Sequence, residues 1–267
     1  MRGNLQTLRA YSSRIIYLLL LAASAFFTVG GGSPPSYSCP DPSGHCYGLV
    51  NWKDPNFSAF QTIVKTVQLN AGNGAMNVEM WFVQAVTNPD CGSLGTGNVC
   101  WVEVGLSAGA DSGGCVIPTN ETHYFWADNR PNGGFFCHDM GPVSPAEFGH
   151  NTIFGVSRDT DQPNSFRAFA LAQDGRLLQG VSTANTMVPD TVQIGMEVTG
   201  NSGTQAGTDG TTFTLNWFSN NPNNPSDGQI EKTDGFTFGG FPPVRSGWTR
   251  PPSKWGSAGE FFVMCCG

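Results

Sequence analysis

The chain has 267 residues and a formal net charge of −7, with 12% charged residues against about 25% in ordinary domains. Glycine (35) and proline (18) are abundant, a mix that suits a turn-rich β protein better than a helical one. No Lys/Arg cluster occurs, which excludes nucleic acid as a partner because nothing would displace counterions from phosphates.

Residues 1–33 read as a signal peptide. Arg2, Arg9 and Arg14 precede the apolar run Ile15 to Val29, which breaks into Gly30-Gly31-Gly32-Ser33-Pro34-Pro35. Fifteen apolar residues fall short of the roughly 20 that a spanning helix needs. Cleavage is expected at Ala23-Ser24-Ala25 or in the Gly/Ser run, giving a secreted protein with no membrane attachment after signal removal.

Beyond the signal the sequence divides into an extension with first strands (34–74), a sandwich core (75–218) and a Pro/Gly-rich segment (219–267) expected to pack on the core. Period-2 patterns predict strands at Thr62–Leu69, Ala75–Val86, Val99–Ser107, Thr122–Asp128 and Asn151–Arg158. Others follow at Ser165–Ala172, Arg176–Ser182, Thr191–Thr199, Thr211–Phe218 and Gly259–Met264, with a tight hairpin at Gln173-Asp174-Gly175. About ten short strands at such spacing predict an all-β sandwich or barrel. Trp217 alternates with Phe213 and Leu215 and reads as core.

Eight cysteines remain: Cys39, Cys46, Cys91, Cys100, Cys115, Cys137 and the adjacent pair Cys265-Cys266. Export permits disulfides, and neighbour pairing (Cys39–Cys46, Cys91–Cys100, Cys115–Cys137) is the simplest scheme, although spacing does not fix it. No Cys-x-x-Cys or paired Cys/His spacing occurs, so neither a metal nor another cofactor is expected. His45, His123, His138 and His150 show no HExxH or i,i+4 pairing, and His138 and His150, which could share a loop, read as hydrogen-bonded turn residues rather than ligands. Asp159-Thr160-Asp161 with Asn164 reads as a hairpin turn before a calcium site. Gly105-Leu106-Ser107-Ala108-Gly109 satisfies G-x-S-x-G, but no helix follows, so the nucleophile-elbow context is missing. Asn56 and Asn120 head glycosylation sequons.

Alternation splits the central strands into two faces. Val102, Val104 and Leu106 oppose Trp101, Glu103 and Gly105; Val192, Ile194, Met196 and Val198 oppose Gln193, Gly195 and Glu197. Similarly, Asn77, Glu79 and Trp81 oppose Val78, Met80 and Phe82. Glutamates, a glutamine and tryptophans sharing one face are what a carboxylate-dependent hydrolase needs: one acid to give a proton, one carboxylate to activate water. A solvated sheet face would show the same alternation.

The segment Thr191-Val192-Gln193-Ile194-Gly195-Met196-Glu197-Val198 resembles the V-Q-x-G-x-E-[IV] strand of neprosin-type glutamic peptidases, with Met196 where a glycine is usual. Val102-Glu103-Val104-Gly105 is similar to their [IV]-E-x-G strand. Tyr124-Phe125-Trp126-Ala127-Asp128 with Gly133-Gly134-Phe135-Phe136-Cys137 resembles their Y-W-x-x-D…G-C-Y stretch, and Gln173 to Gly180 their hairpin. The resemblance runs from about Val78 to Phe218. It implies a jelly-roll or concanavalin-like antiparallel sandwich, catalytic Glu103 and Glu197 on neighbouring strands, and peptide hydrolysis at acid pH. It further implies Gln193 at the oxyanion and Trp101, Trp81 and Glu79 as substrate-binding neighbours. The alternatives are a lectin-like carbohydrate-binding sandwich and a two-glutamate glycosidase acting on a polysaccharide.

Overall fold

A computed structural model describes residues 45–53, 57–84, 93–94, 97–98, 100–130, 134–162, 165–182, 187–199, 210–221, 229–230, 236–238, 244–250 and 259–265. The expected signal peptide, Cys39, Cys91, Cys266, Asn56 and Asn164 lie outside the described residues.

Fourteen principal strands run in chain order. They are β1 (His45–Lys53), β2 (Ala59–Lys65), β3 (Ala75–Gln84), β4 (Cys100–Ala108), β5 (His123–Arg130), β6 (Gly134–Pro142) and β7 (Asn151–Arg158). After them come β8 (Phe166–Leu171), β9 (Leu177–Ser182), β10 (Thr191–Thr199), β11 (Thr211–Ser219), β12 (Phe236–Phe238), β13 (Val244–Arg250) and β14 (Glu260–Cys265). The one helical turn among the described residues is a 3-10 turn at Pro145–Glu147.

The strands form two sheets, of order β6-β5-β4-β3-β10-β1-β12 and β9-β8-β7-β2-β11-β14-β13, and every pairing among the described strands is antiparallel. The C-terminal segment supplies β12 to the first sheet and β13 and β14 to the second. Alternation explains the layering. Met76, Val78, Met80 and Phe82 of β3, Val102, Val104 and Leu106 of β4, and Val192, Ile194, Met196 and Val198 of β10 are fully buried. They share one core with Phe60 and Val64 of β2, Phe154 and Val156 of β7, Phe166 of β8 and Phe261 of β14. Phe82 meets Phe166 edge-on across the sheets, with ring centroids 5.7 Å apart. Chains patterned at period 2 can bury one face of each sheet only this way, and the result is the expected antiparallel β-sandwich.

Two inter-sheet contacts are polar or glycine-made. Asp128 of β5 is buried and accepts a hydrogen bond from the Ser182 hydroxyl of β9. Gly180 lets the Trp126 indole lie against the β9 backbone: a Cβ there would stand 2.0 Å from Nε1.

Cys115 and Cys137 are bridged, as neighbour pairing expects. Cys46, Cys100 and Cys265 are also disulfide-bonded. The Asp159 turn is a hairpin connection: Oδ2 takes Arg167 Nη2 at 2.7 Å and Oδ1 takes the Asp161 amide at 2.9 Å. Gly175, with φ +85, closes the turn between β8 and β9. After Gly109 the chain enters a two-residue ladder, Asp111–Ser112 with Cys115–Val116, and no helix.

The expected core assignment of Leu215 and Trp217 is overturned. Pairing of β11 with β2 shifts between Thr214 and Trp217, so a bulge breaks the alternation. Leu215 takes φ 49 and is 46% exposed, Trp217 is only partly buried, and Asn216 turns inward to accept from Thr62 Oγ1 at 2.8 Å. Phe213 alone keeps its core place.

Candidate active site

The first sheet carries β10, β3 and β4 side by side, and the face turned away from the core holds three glutamates. Glu79 of β3 stands opposite Gly105 of β4 on one side and Gly195 of β10 on the other. Glu103 pairs with Trp81, and Glu197 pairs with Asn77. The three acids therefore form a diagonal, Glu103–Glu79–Glu197, each two residues out of register with the next. Diagonal neighbours have Cβ atoms about 7–8 Å apart or somewhat less, within reach of a glutamate side chain. The glycines put no side chain between the acids and let the strands pack closely around Glu79.

This geometry corrects one expectation. Glu103 and Glu197 do not come from neighbouring strands, because β3 lies between β4 and β10. Two strand spacings put their backbones about 9.6 Å apart across the sheet, and the diagonal adds to that. Glu79 stands between them.

The environments of the three differ. Glu79 is fully buried and Glu103 is 5% exposed. Burial, then the charges of Glu103 and Glu197, hold the Glu79 carboxyl well above the ordinary carboxylate range. Burial first, and then the Glu197 charge, push Glu103 up to about 8, against the Trp81 hydrogen bond that favours its ionised form. Glu103 and Glu197 lie close enough to Glu79 to act as hydrogen-bond partners. Yet neither Glu79 oxygen completes a well-formed hydrogen bond among the described residues. Glu197 keeps a 14% exposed side chain and is bound by Nδ1 of His45, whose own side chain is 47% exposed. Tyr47 pairs with Glu197 across β1 and β10, and burial with the nearby acids raises its phenol far above 10.

Around the acids lies an apolar patch. Leu49, Trp81 and Val83 are buried together, with Tyr47 and Trp101 packed against them. Gln193 is partly buried between Trp81 and Asn51 in the register of Glu103, so Trp81 separates it from that acid. Asn51 is 2% exposed, and its Oδ1 has no hydrogen-bond partner among the described residues. Among those residues no group of three His, Cys, Asp or Glu is placed to hold a metal ion, since the glutamates are strung along a diagonal rather than converging. The other histidines lie apart from the site: His123 binds Asp139 at 2.9 Å, and His138 stacks on Trp126 at 4.2 Å.

Tyr47, Leu49, Asn51 and His45 escaped the sequence reading. The signal was present as Cys46, Gly48, Val50 and Trp52 against Tyr47, Leu49 and Asn51. Both lists are buried or nearly so, which blurs the contrast that betrays a strand.

No protein-family model matches the sequence. No curated protein matches it either. Among solved structures, the chain is similar to scytalido-glutamic peptidase bound to a transition state analog inhibitor, at 9% identity over 86% of this chain and 98% of that one, with TM-score 0.49. SCP-B, a member of the Eqolisin family of peptidases in complex with the tripeptide Ala-Ile-His, matches at 9% identity over 85% and 99%, with TM-score 0.47. Peanut lectin with a 9mer peptide matches at 12% identity over 70% and 94%, with TM-score 0.31. None of the three reaches a TM-score of 0.5.

Proposed function

We propose that this chain is a secreted hydrolase that cleaves peptide bonds in acid, with Glu103 and Glu197 as its two working carboxyls. The carrying observation is the unequal environment of two acids on one sheet face. Glu103 is buried and pushed up to about 8, whereas Glu197 lies nearer solvent against the His45 imidazole. Unequal environments assign roles to paired acids.

In this reading Glu197, ionised beside His45, takes a proton from water as the oxygen attacks the scissile carbonyl carbon. Glu103, protonated, gives its proton to the leaving nitrogen. Gln193 offers its side-chain amide N–H to the oxygen that gains charge. The orphaned Asn51 oxygen suits a substrate backbone N–H, which favours a peptide over an apolar ligand. Trp81, Trp101, Leu49 and Val83 give a substrate side chain an apolar wall. The likeness of Val102–Gly105 and Thr191–Val198 to neprosin-type strands supports the same pair of acids.

The test is incubation of the purified chain with a denatured protein at about pH 3 to 7, beside Glu103→Gln and Glu197→Gln. Each substitution should lower kcat by on the order of 10²–10⁴. Unchanged cleavage in both variants defeats the reading. Glycan binding without peptide cleavage would favour a lectin-like sandwich, and glycan cleavage lost in both variants a glycosidase.

A further inference from the structure

Resting on that reading, we infer that Glu79 is a proton relay that returns the proton taken up by Glu197 to Glu103 after each turnover. Hydrolysis leaves the two acids in the wrong states. Glu197 has gained a proton from water, and Glu103 has lost one to the amine. Another cycle requires the reverse. β3 lies between the two strands, so Glu79 stands on the line from one acid to the other. Return through water is slow for an acid 5% exposed.

Glu79 stands at the midpoint of the diagonal, opposite Gly105 on one strand and Gly195 on the other, so no side chain from either position separates it from Glu103 or Glu197. A carboxyl group has two oxygens. One accepts the proton from Glu197 while the other releases the proton it already holds to Glu103. The bond order of Glu79 shifts between its oxygens, its net charge is unchanged, and no oxidant or further reactant is consumed. Full burial with two oxygens lacking well-formed bonds makes sense for such a group. Satisfied oxygens would hold it in one orientation, and an ionised form would face Glu103 and Glu197 as like charges. The other titratable groups around the three acids are Tyr47 of β1, His45 of β1 at Glu197, and Asp128 of β5, which acts on Glu103. Of these only His45 can carry positive charge, when protonated, and it is bound to Glu197.

The amide of Glu79→Gln keeps the shape and cannot accept at one atom while releasing at the other. Rapid-quench kinetics of Glu79→Gln on a peptide at about pH 5 should show a first turnover faster than those that follow. Later turnovers should be slower than the first by about tenfold or more, with the alkaline limb of the pH profile displaced. Equal first and later rates in Glu79→Gln, with Glu103→Gln inactive, overturn the relay alone. A wild-type chain without hydrolytic activity overturns the relay and the function together.

A second measurement needs no variant at Glu79. Infrared spectra of the wild type at pH 7 should contain a protonated carboxyl band that persists in Glu103→Gln but shifts, because that replacement changes the neighbour of the Glu79 carboxyl. No such band at pH 7, or one indifferent to Glu103→Gln, overturns the relay even if Glu79→Gln does not fold.

Discussion

Glu79 and Gly105 face each other across β3 and β4 with no room between them: a Cβ on Gly105 would stand 2.7 Å from the Glu79 Cβ. The same atom would lie 2.3 Å from the Val78 carbonyl oxygen, which is backbone and cannot swing aside. Gly105→Ala is therefore expected to destabilise the chain by about 1–3 kcal/mol through overpacking. Thermal unfolding checks this, and a melting temperature equal to wild type would show that β4 shifts freely.

Stability should fall as pH rises. Glu103 is raised from 4.5 to about 8 in the folded chain, so between those values the native state holds a proton that the unfolded state has lost. The contribution is complete below about pH 4.5 and disappears as pH climbs through 8, at a slope of about 1.4 kcal/mol per pH unit for one group. Urea midpoints at pH 5 and pH 8 should differ less for Glu103→Gln than for wild type. Parallel behaviour of the two would contradict the burial argument.

Glu147, 6% exposed, accepts from the Ser144 amide at 2.7 Å and from Arg176 Nη2 at 3.0 Å. Arg176→Met leaves that buried acid with less compensation. Since the Arg176 side chain is 39% exposed, the loss is discounted to about 1–3 kcal/mol. Arg176→Lys should recover part of it, and equilibrium denaturation of both variants distinguishes charge from packing.

Leu215 sits at φ 49, costly for a branched apolar residue, and buries little in return. Leu215→Asn should stabilise the chain by about 0.5–1 kcal/mol, since asparagine tolerates this region. A destabilised variant would mean that the Leu215 side chain has a packing role.

The ten strands expected from periodicity all recur within a few residues, because each has one apolar and one polar face. What escaped did so for physical reasons. β1 is buried on both faces, so it shows little contrast. β13 contains Gly247 and is followed by Pro251-Pro252, residues that signal loops. The bulge after Thr214 left no mark in the alternation of Phe213, Leu215 and Trp217. At the site, Glu103, Glu197 and Glu79 were legible as sharing a face. The order of their strands was not, since local pattern is silent on which strand lies between which. That order places Glu79 between the two acids rather than beside them.

Strand order also carries a kinetic meaning. β10 lies between β1 and β3, which cannot pair with each other and must await a strand that follows a hundred residues after β3. Closing so long a loop is slow, and it is the step that drives the acid of β10 toward those of β3 and β4. In acid the approach is between largely neutral groups; near neutrality the chain must recapture protons as it closes. Stopped-flow refolding should accordingly be faster at pH 5 than at pH 8, and equal rates would place the meeting of the acids after the folding barrier.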